Sequence, residues 1–504
     1  MARYKHTEAG NGQGMFLTVN LKEQLMPGTF EYMMNDLIDK KIDISGFDKN
    51  YKNDETGAKA IPPRVLIKLI IYGYSKGVKS SRGIGELSRI NITAKALAED
   101  AEPHWTTIAD FISGNAERFK EVFVKVLAYC SELDLIGGST FAIDGCRLPS
   151  NASLELTGTA EGLGKKLKVY RRMAEKHIAK HRRRDKQGTD EKETERHYLE
   201  RQKKLNGRIE KISGFLENME KKEGRRVKEI KSNVTDNESA LIMTSEGYIQ
   251  GYIGLAVSDK KEQIIVSAEA VGSANEGEHL PRMLEETLGN LRAVKKSKKK
   301  KKAKRTVLAD KNYFSEENLQ ACRERGVEAV IADRRYKQRL GNEKNKRFET
   351  DDFKYIKRGD YYKCPNGKKL VYKGTSSPEG YEGKSYRAGM KDCRVCPLNT
   401  KCLKSKKEIS KIDRGRSLLI SESNSVGSLS RELRKKLDTQ EYQDQYAYRI
   451  QIIEPVFSNI TYCKGLDRFS LRGKEKVNGQ WQLYCIMHNL GKCLKGYNIK
   501  KGYA

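Results

Sequence analysis

Two short apolar runs, Thr140-Phe141-Ala142-Ile143 and Thr306-Val307-Leu308-Ala309, lead directly into aspartates, Asp144 and Asp310. Runs of this length, bounded by glycine or charge, read as buried strands rather than helices. Further strands are expected at Tyr248–Val257, Glu262–Ala270 and Glu328–Asp333, with helices at about Glu278–Leu291 and after the capping residue Ser315. Two later helices follow, Glu441–Phe457 with Pro455 near a bend, and about Trp481–Leu494. This alternation specifies an α/β fold on a mixed sheet, assigned to residues 137–500.

The sheet sequence is interrupted over residues 161–231. Leu205, Ile209, Ile212, Leu216 and Met219 recur at helical spacing, as do Leu163, Leu167, Tyr170, Ala174, His177 and His181. With the turn-prone 185–190 between them, they predict a basic antiparallel helical hairpin. His177 and His181 have metal-ligand spacing, but both fall on the seam, which favours packing. Residues 61–136 read as an all-α domain whose short helices suit a DNA-binding module and equally a plain helical bundle, between which periodicity does not choose. Pro62-Pro63 opens a first helix through Val65, Leu66, Leu69 and Ile70, and Ser80 or Ser81 caps the next. Residues 1–60 are polar and poorly periodic, an N-terminal extension of unclear fold.

The 504 residues carry 98 Lys and Arg against 67 Asp and Glu, a formal net charge of +31. Residues 161–231 hold 24 basic and 13 acidic residues, and the run 295–305, KKSKKKKKAKR, holds nine positives and no acid. A field of this sign selects a polyanionic partner, DNA first. The lysine run itself reads as a solvated loop that makes binding salt-dependent. No apolar stretch approaches ~18 residues, so no membrane span is expected. The start, Met1–His6, lacks the apolar core of a signal peptide, and ten cysteines are too few for a disulfide scaffold, so a cytoplasmic location is expected. Gly383-Lys384-Ser385 is no phosphate loop, because Pro378 stands where its first glycine belongs.

Asp144, Asp310 and Glu454 form a carboxylate set of the kind that holds two divalent ions ~4 Å apart for phosphodiester chemistry. Spacing alone cannot single out three acids among 67. Their contexts are more specific. Ala142-Ile143-Asp144-Gly145, Leu308-Ala309-Asp310-Lys311-Asn312-Tyr313 and Ile453-Glu454-Pro455-Val456-Phe457 resemble the three catalytic blocks of bacterial insertion-sequence DDE transposases. The branch is that with an RNase H-like catalytic domain and an InsH-type N-terminal domain. Pro103-His104-Trp105-Thr106-Thr107-Ile108 is similar to its N-terminal domain, and Thr235–Ala240 with Gly251-Tyr252 to the strand pair after the first acid. Arg468-Phe469-Ser470-Leu471-Arg472-Gly473 and His488-Asn489-Leu490 are similar to its C-terminal signature.

The resemblance implies that Asp144, Asp310 and Glu454 bind Mg²⁺ or Mn²⁺ for DNA cleavage at terminal inverted repeats and strand transfer to target DNA. It also implies a homodimer or higher oligomer, nucleoid-associated when DNA-bound. Arg449 would reach a phosphate. The family's Tyr–Arg–Glu–Lys signature is only partly present: four residues separate Arg449 from Glu454, Thr461 replaces the lysine, and Lys464 is the substitute. Arg468, Arg472, Lys298, Lys299 and Lys300 are further DNA-contact candidates. The rival readings are an RNase H-like metal-dependent nuclease without strand transfer, and a non-enzymatic DNA-binding protein such as an inactive transposase copy.

Cys364, Cys393, Cys396 and Cys402 crowd into a cysteine-rich insertion at 345–410. A Cys-x₂-Cys pair with two flanking thiols fits a closed, structural zinc site. A disulfide or redox arrangement and unliganded thiols are the alternatives. Asp236 reads as a turn residue or as a support of the acidic site.

Overall fold

A computed structural model of the chain describes residues 20–51, 59–185, 192–223, 229–294, 304–340, 348–377, 382–403, 414–421 and 428–503. The chain divides into two compact units, Met1–Phe111 with Leu494–Ala504, and Ile112–Cys493.

The first unit is helical, with α1 (Phe30–Lys40), α2 (Pro63–Ser75), α3 (Ser81–Ile90), α4 (Ile92–Leu97) and the start of α5 (Trp105–Gly114). Pro63 opens α2, where no N–H is required. Ser80 Oγ accepts the Gly83 N–H at 3.1 Å, and Asn91 Oδ1 accepts that of Ala94 at 2.9 Å. Helix α1 lies in the stretch that sequence left without a fold. It buries Met33, Met34 and Leu37. Its Asp36 Oδ2 accepts from Tyr497 Oη at 2.8 Å, a partner 461 residues away. Lys68 is fully buried, and its ammonium is held at 2.8 Å by both Asn35 and Asp39. That pairing is what lets a charge sit inside an otherwise apolar helix.

In the second unit, α6 (Ala116–Glu132) leads to β1 (Thr140–Pro149). Strands β2 (Thr157–Gly158) and β3 (Ser232–Asn233) pair at the base of α7 (Ala160–Asp185) and α8 (Lys192–Glu217). Leu163, Tyr170, Leu205 and Ile212 are buried between these two helices. His177 and His181 both lie against the Tyr198 ring, with centroids 4.7 and 3.8 Å away, so both imidazoles serve packing.

The main sheet has six strands: β1, β4 (Ala240–Thr244), β5 (Gly247–Asp259), β6 (Ile265–Val271), β7 (Arg305–Ala309) and β8 (Val327–Ile331). Their order is β4-β5-β1-β7-β8, with β6 also beside β5. Central β1 is antiparallel to β5 and parallel to β7. Helices α9 (Leu280–Val294) and α10 (Glu316–Glu324) connect β6, β7 and β8. Ser315 caps α10, its Oγ accepting from the Asn318 N–H at 3.2 Å. Strand β1 does not end at Gly145, as the glycine suggested. Pairing with β5 carries it on from Phe141↔Asp259 to Pro149↔Gly251.

A second sheet is antiparallel and five-stranded: β9 (Lys354–Ile356), β10 (Tyr361–Lys363), β11 (Lys369–Ser376), β12 (Gly383–Ala388) and β13 (Ser417–Ile420). It follows the short α11 (Tyr336–Leu340) and contains the turns α12 (Met390–Arg394) and α13 (Asn399–Cys402). Phe353, Tyr362, Leu370, Tyr386 and Leu418 form its core. Then come α14 (Leu429–Leu437), α15 (Gln440–Ser458) and α16 (Lys474–Lys501). Helix α15 runs through Pro455 into a π-helical turn, Asn459–Cys463.

Within the second unit, α16 seals the free edge of β6. Asn478 Oδ1 accepts the Ala270 N–H at 3.0 Å, and Gln482 Nε2 donates to Ala268 O. Asn489 exchanges two bonds with the Ile265 backbone, at 2.9 and 2.8 Å. Edge groups that would otherwise face an apolar helix are thereby satisfied. Trp481 Nε1 donates to Leu255 O at 2.9 Å, and its ring covers Gly254. Among the described residues no helix is long and apolar enough to cross a membrane.

Candidate active site

Parallel pairing of β1 with β7 sets Ile143 opposite Ala309. The next residue of each, Asp144 and Asp310, therefore emerge side by side. Helix α15 packs across β1 and β7 and carries Arg449 and Glu454 to the same place. Arg449 Nη1 donates to Asp144 Oδ2 at 2.6 Å, and its Nη2 lies 3.7 Å from Glu454 Oε1. The Asp144 and Arg449 side chains are 17% and 11% exposed, whereas that of Glu454 is 52% exposed, so the site opens toward solvent at Glu454. Tyr446, one turn before Arg449, also bonds to its guanidinium.

Burial raises the Asp144 carboxyl to about 6. The Gly145 N–H, on Asp144 Oδ1 at 2.8 Å, and the Arg449 charge pull the other way, while Glu276 and Asp310 add to the rise. Desolvation thus outweighs a short ion pair, and one guanidinium does not neutralise the carboxylates gathered here. Burial also pushes the neighbouring Cys146 thiol up to about 12.

Sequence reasoning missed Glu276. It precedes α9 in no recognisable block, yet it is 4% exposed and sits over Gly145. Only the meeting of β1 with the loop before α9 reveals it. Tyr313, three residues after Asp310, is fully buried, and Glu276, Asp144 and Asp310 all bear on its hydroxyl electrostatically.

Other predicted positions lie as follows. Lys464 is half-buried at the end of the π-helical turn, and Arg468 is exposed. Arg472 Nε donates to Asn151 O, which ties it to the loop after β1. Lys298, Lys299 and Lys300 fall outside the described residues. Asp236 is buried and accepts from Tyr252 Oη with both oxygens, at 2.9 and 3.0 Å, and from the Gly473 N–H at 3.3 Å. Glu238 Oε2 accepts the Lys474 N–H at 3.0 Å. These two acids anchor the positive N-terminus of α16. His488 is buried, its pKa lowered to about 4 by desolvation, and its ring nitrogens meet Gln263 O at 3.0 Å and Asn459 Nδ2 at 2.8 Å.

Cys364, Cys393, Cys396 and Cys402 line one cavity with Lys368, Asp392 and Arg416. Three of the thiols accept N–H bonds: Cys364 from the Lys368 backbone at 3.2 Å, Cys393 from the Arg416 backbone at 3.4 Å, and Cys396 from Asn366 Nδ2 at 3.4 Å. Among the described residues, no group of three or more His, Cys, Asp or Glu stands at metal-coordination geometry, at this cavity or at the acidic site.

Two family models match the chain: a transposase DDE domain over residues 363–494, and a transposase domain (DUF772) over residues 19–114. The first spans Glu454 and the cysteine cluster, while Asp144 and Asp310 lie outside both spans. No curated protein and no solved structure matches. The matched domains are those of DNA-transposing enzymes, a class that acts on DNA and generally uses divalent metals. These two matches support an insertion-sequence DDE transposase.

Proposed function

We propose that Asp144, Asp310 and Glu454 are the catalytic carboxylates of an RNase H-like transposase that cleaves DNA at its element's ends and transfers the freed 3′ end to target DNA. One observation carries this reading: adjacent parallel strands deliver Asp144 and Asp310 together, and Arg449 links Asp144 to Glu454 across the same space. The donor set fits hard divalent cations, being carboxylate oxygens in a pocket with more negative than positive charge. Mg²⁺ or Mn²⁺ held there would supply Lewis-acid activation of the attacking oxygen and stabilise the leaving one.

The chain's own groups have separate tasks. The Gly145 N–H fixes one oxygen of Asp144. Arg449 holds the other oxygen and carries a buried Nε without a partner among the described residues, a donor available to a phosphate oxygen. The half-exposed Glu454 lies at the side from which DNA enters. Basic residues of α7 and α8, with the lysine run and Arg468, give a salt-dependent hold on the duplex. Two copies of the chain, each bearing one element end, would form the working assembly in the cytoplasm. The four cysteines would bind structural zinc, supported by their shared cavity and three N–H···S contacts.

Nicking of labelled element-end DNA in Mg²⁺ or Mn²⁺ tests the reading, with gel shifts as the binding control. Asp144→Asn, Asp310→Asn and Glu454→Gln should bind DNA as wild type does and cut none of it. Cleavage surviving in any one variant removes that acid from the assignment.

A further inference from the structure

Among the described residues, Glu276 is the one buried acid beside Asp144 with an oxygen unaccounted for. Its Oε1 accepts from Asn312 Nδ2 at 2.7 Å and from Arg147 Nη2 at 3.4 Å. Its Oε2 is fully buried and has no hydrogen-bond partner among the described residues. That oxygen is aimed at the catalytic strand. A Cβ added to Gly145 would come within 2.5 Å of it, while the Gly145 N–H lies on Asp144 Oδ1 at 2.8 Å. Glu276 therefore lies against Gly145, the residue next to Asp144 in the strand, where the absence of a side chain makes room for its carboxylate. The Tyr313 hydroxyl, which faces the same acids, is likewise buried without a partner among the described residues.

A buried carboxylate oxygen with nothing to accept from is costly, and natural folds rarely keep one without a reason. Its two anchors indicate the reason. Arg147 lies three residues after Asp144, and Asn312 two after Asp310, so Oε1 is gripped from both acid-bearing segments. The grip holds Oε2 in place over Gly145.

We propose that Glu276 is a fourth metal-binding carboxylate, its Oε2 supplying a ligand oxygen to a divalent cation held by Asp144 and Asp310. This rests on the triad reading above and adds a residue to it. The opposing role is a purely structural clamp between the two segments through Oε1. Glu276→Gln separates the two, because its amide oxygen keeps the clamp while an NH₂ replaces the ligand oxygen.

The test uses the full chain, with Mn²⁺ binding followed by the electron paramagnetic resonance of free Mn²⁺, and thermal melting in EDTA. Glu276→Gln should weaken Mn²⁺ binding by about tenfold or more. It should also melt at or above the wild-type temperature without metal, since it removes an unpartnered buried charge. Wild-type Mn²⁺ affinity in Glu276→Gln, whose amide oxygen keeps the clamp, assigns the clamp role and overturns the proposal. Glu276→Asp keeps the charge and withdraws it by one carbon. It too should bind Mn²⁺ more weakly, and wild-type affinity there overturns the proposal even if the glutamine variant does not fold. Asp144→Asn is run alongside. If it loses Mn²⁺ while both Glu276 variants keep it, the fourth ligand fails and the triad stands. If Asp144→Asn also binds normally, the triad itself has failed.

Discussion

Replacing Asp144 with asparagine should stabilise the metal-free protein, and by more as the pH rises. Burial lifts this carboxyl to about 6 in the folded chain, against ~3.9 in an unfolded one. Folding therefore takes up a proton between those values. The stability that the protonated form contributes is present below about pH 4 and is lost as the pH climbs through about 6. At roughly 1.36 kcal/mol per unit the whole shift amounts to ~3 kcal/mol. About 2 kcal/mol of it is lost between roughly pH 4.5 and 7.5. Asparagine is nearly isosteric and does not titrate. Its amide oxygen can still accept from the Gly145 N–H or from Arg449, and the ion pair that it lacks is already counted in the net wild-type shift. The informative quantity is thus the change in the difference between the two proteins, read from urea melts in EDTA at the two pH values. Wild type should lose about 2 kcal/mol relative to the variant on going to the higher pH. A difference that stays constant, or that moves the other way, would refute the claim that desolvation outweighs the 2.6 Å ion pair to Arg449.

Three further outcomes are expected. Gly254→Ala would place a Cβ 3.0 Å from three atoms of the Trp481 ring; equilibrium unfolding should show a loss of about 1–3 kcal/mol, typical of overpacking. Arg449→Lys keeps the charge but loses the fork that reaches both Asp144 and Glu454; end cleavage should fall sharply with DNA binding unchanged, and cleavage at the wild-type rate would show the fork to be dispensable. Metal analysis of purified protein should find zinc bound at the cysteine cavity and absent from Cys393→Ser/Cys396→Ser, whereas a zinc-free wild type would leave the four as plain thiols.

What the sequence made legible follows from locality. The acid-bearing strands could be read because each is a short apolar run with an abrupt polar end, and Ser80 and Ser315 because a cap acts three residues away. Helix α1 was hidden because its Asp36 is buried against Tyr497, far along the chain, so its apolar face looks interrupted. The second sheet was hidden because its strands run from only three to eight residues, most of them not buried. At the site, Arg449 could be found from its place on the helix of Glu454. Glu276 could not, because nothing near it in sequence marks it and only the fold sets it over Gly145. The blocks containing Asp236 and Asn489 were visible only as resemblance. Their task proves to be architectural: Asp236 anchors the start of α16, and Asn489 pairs with the edge of β6.

The central claim is that this acidic site joins DNA as well as cutting it. The most direct measurement supplies a pre-cleaved element end with a free 3′-hydroxyl, a plasmid target and Mg²⁺, and follows covalent joining by wild type and by Asp310→Asn. The account predicts joined product from wild type, none from the variant despite equal DNA binding, and none when the end carries a 3′-deoxy terminus. Joining by Asp310→Asn, or cleavage of ends by wild type that never yields joined product, would contradict it.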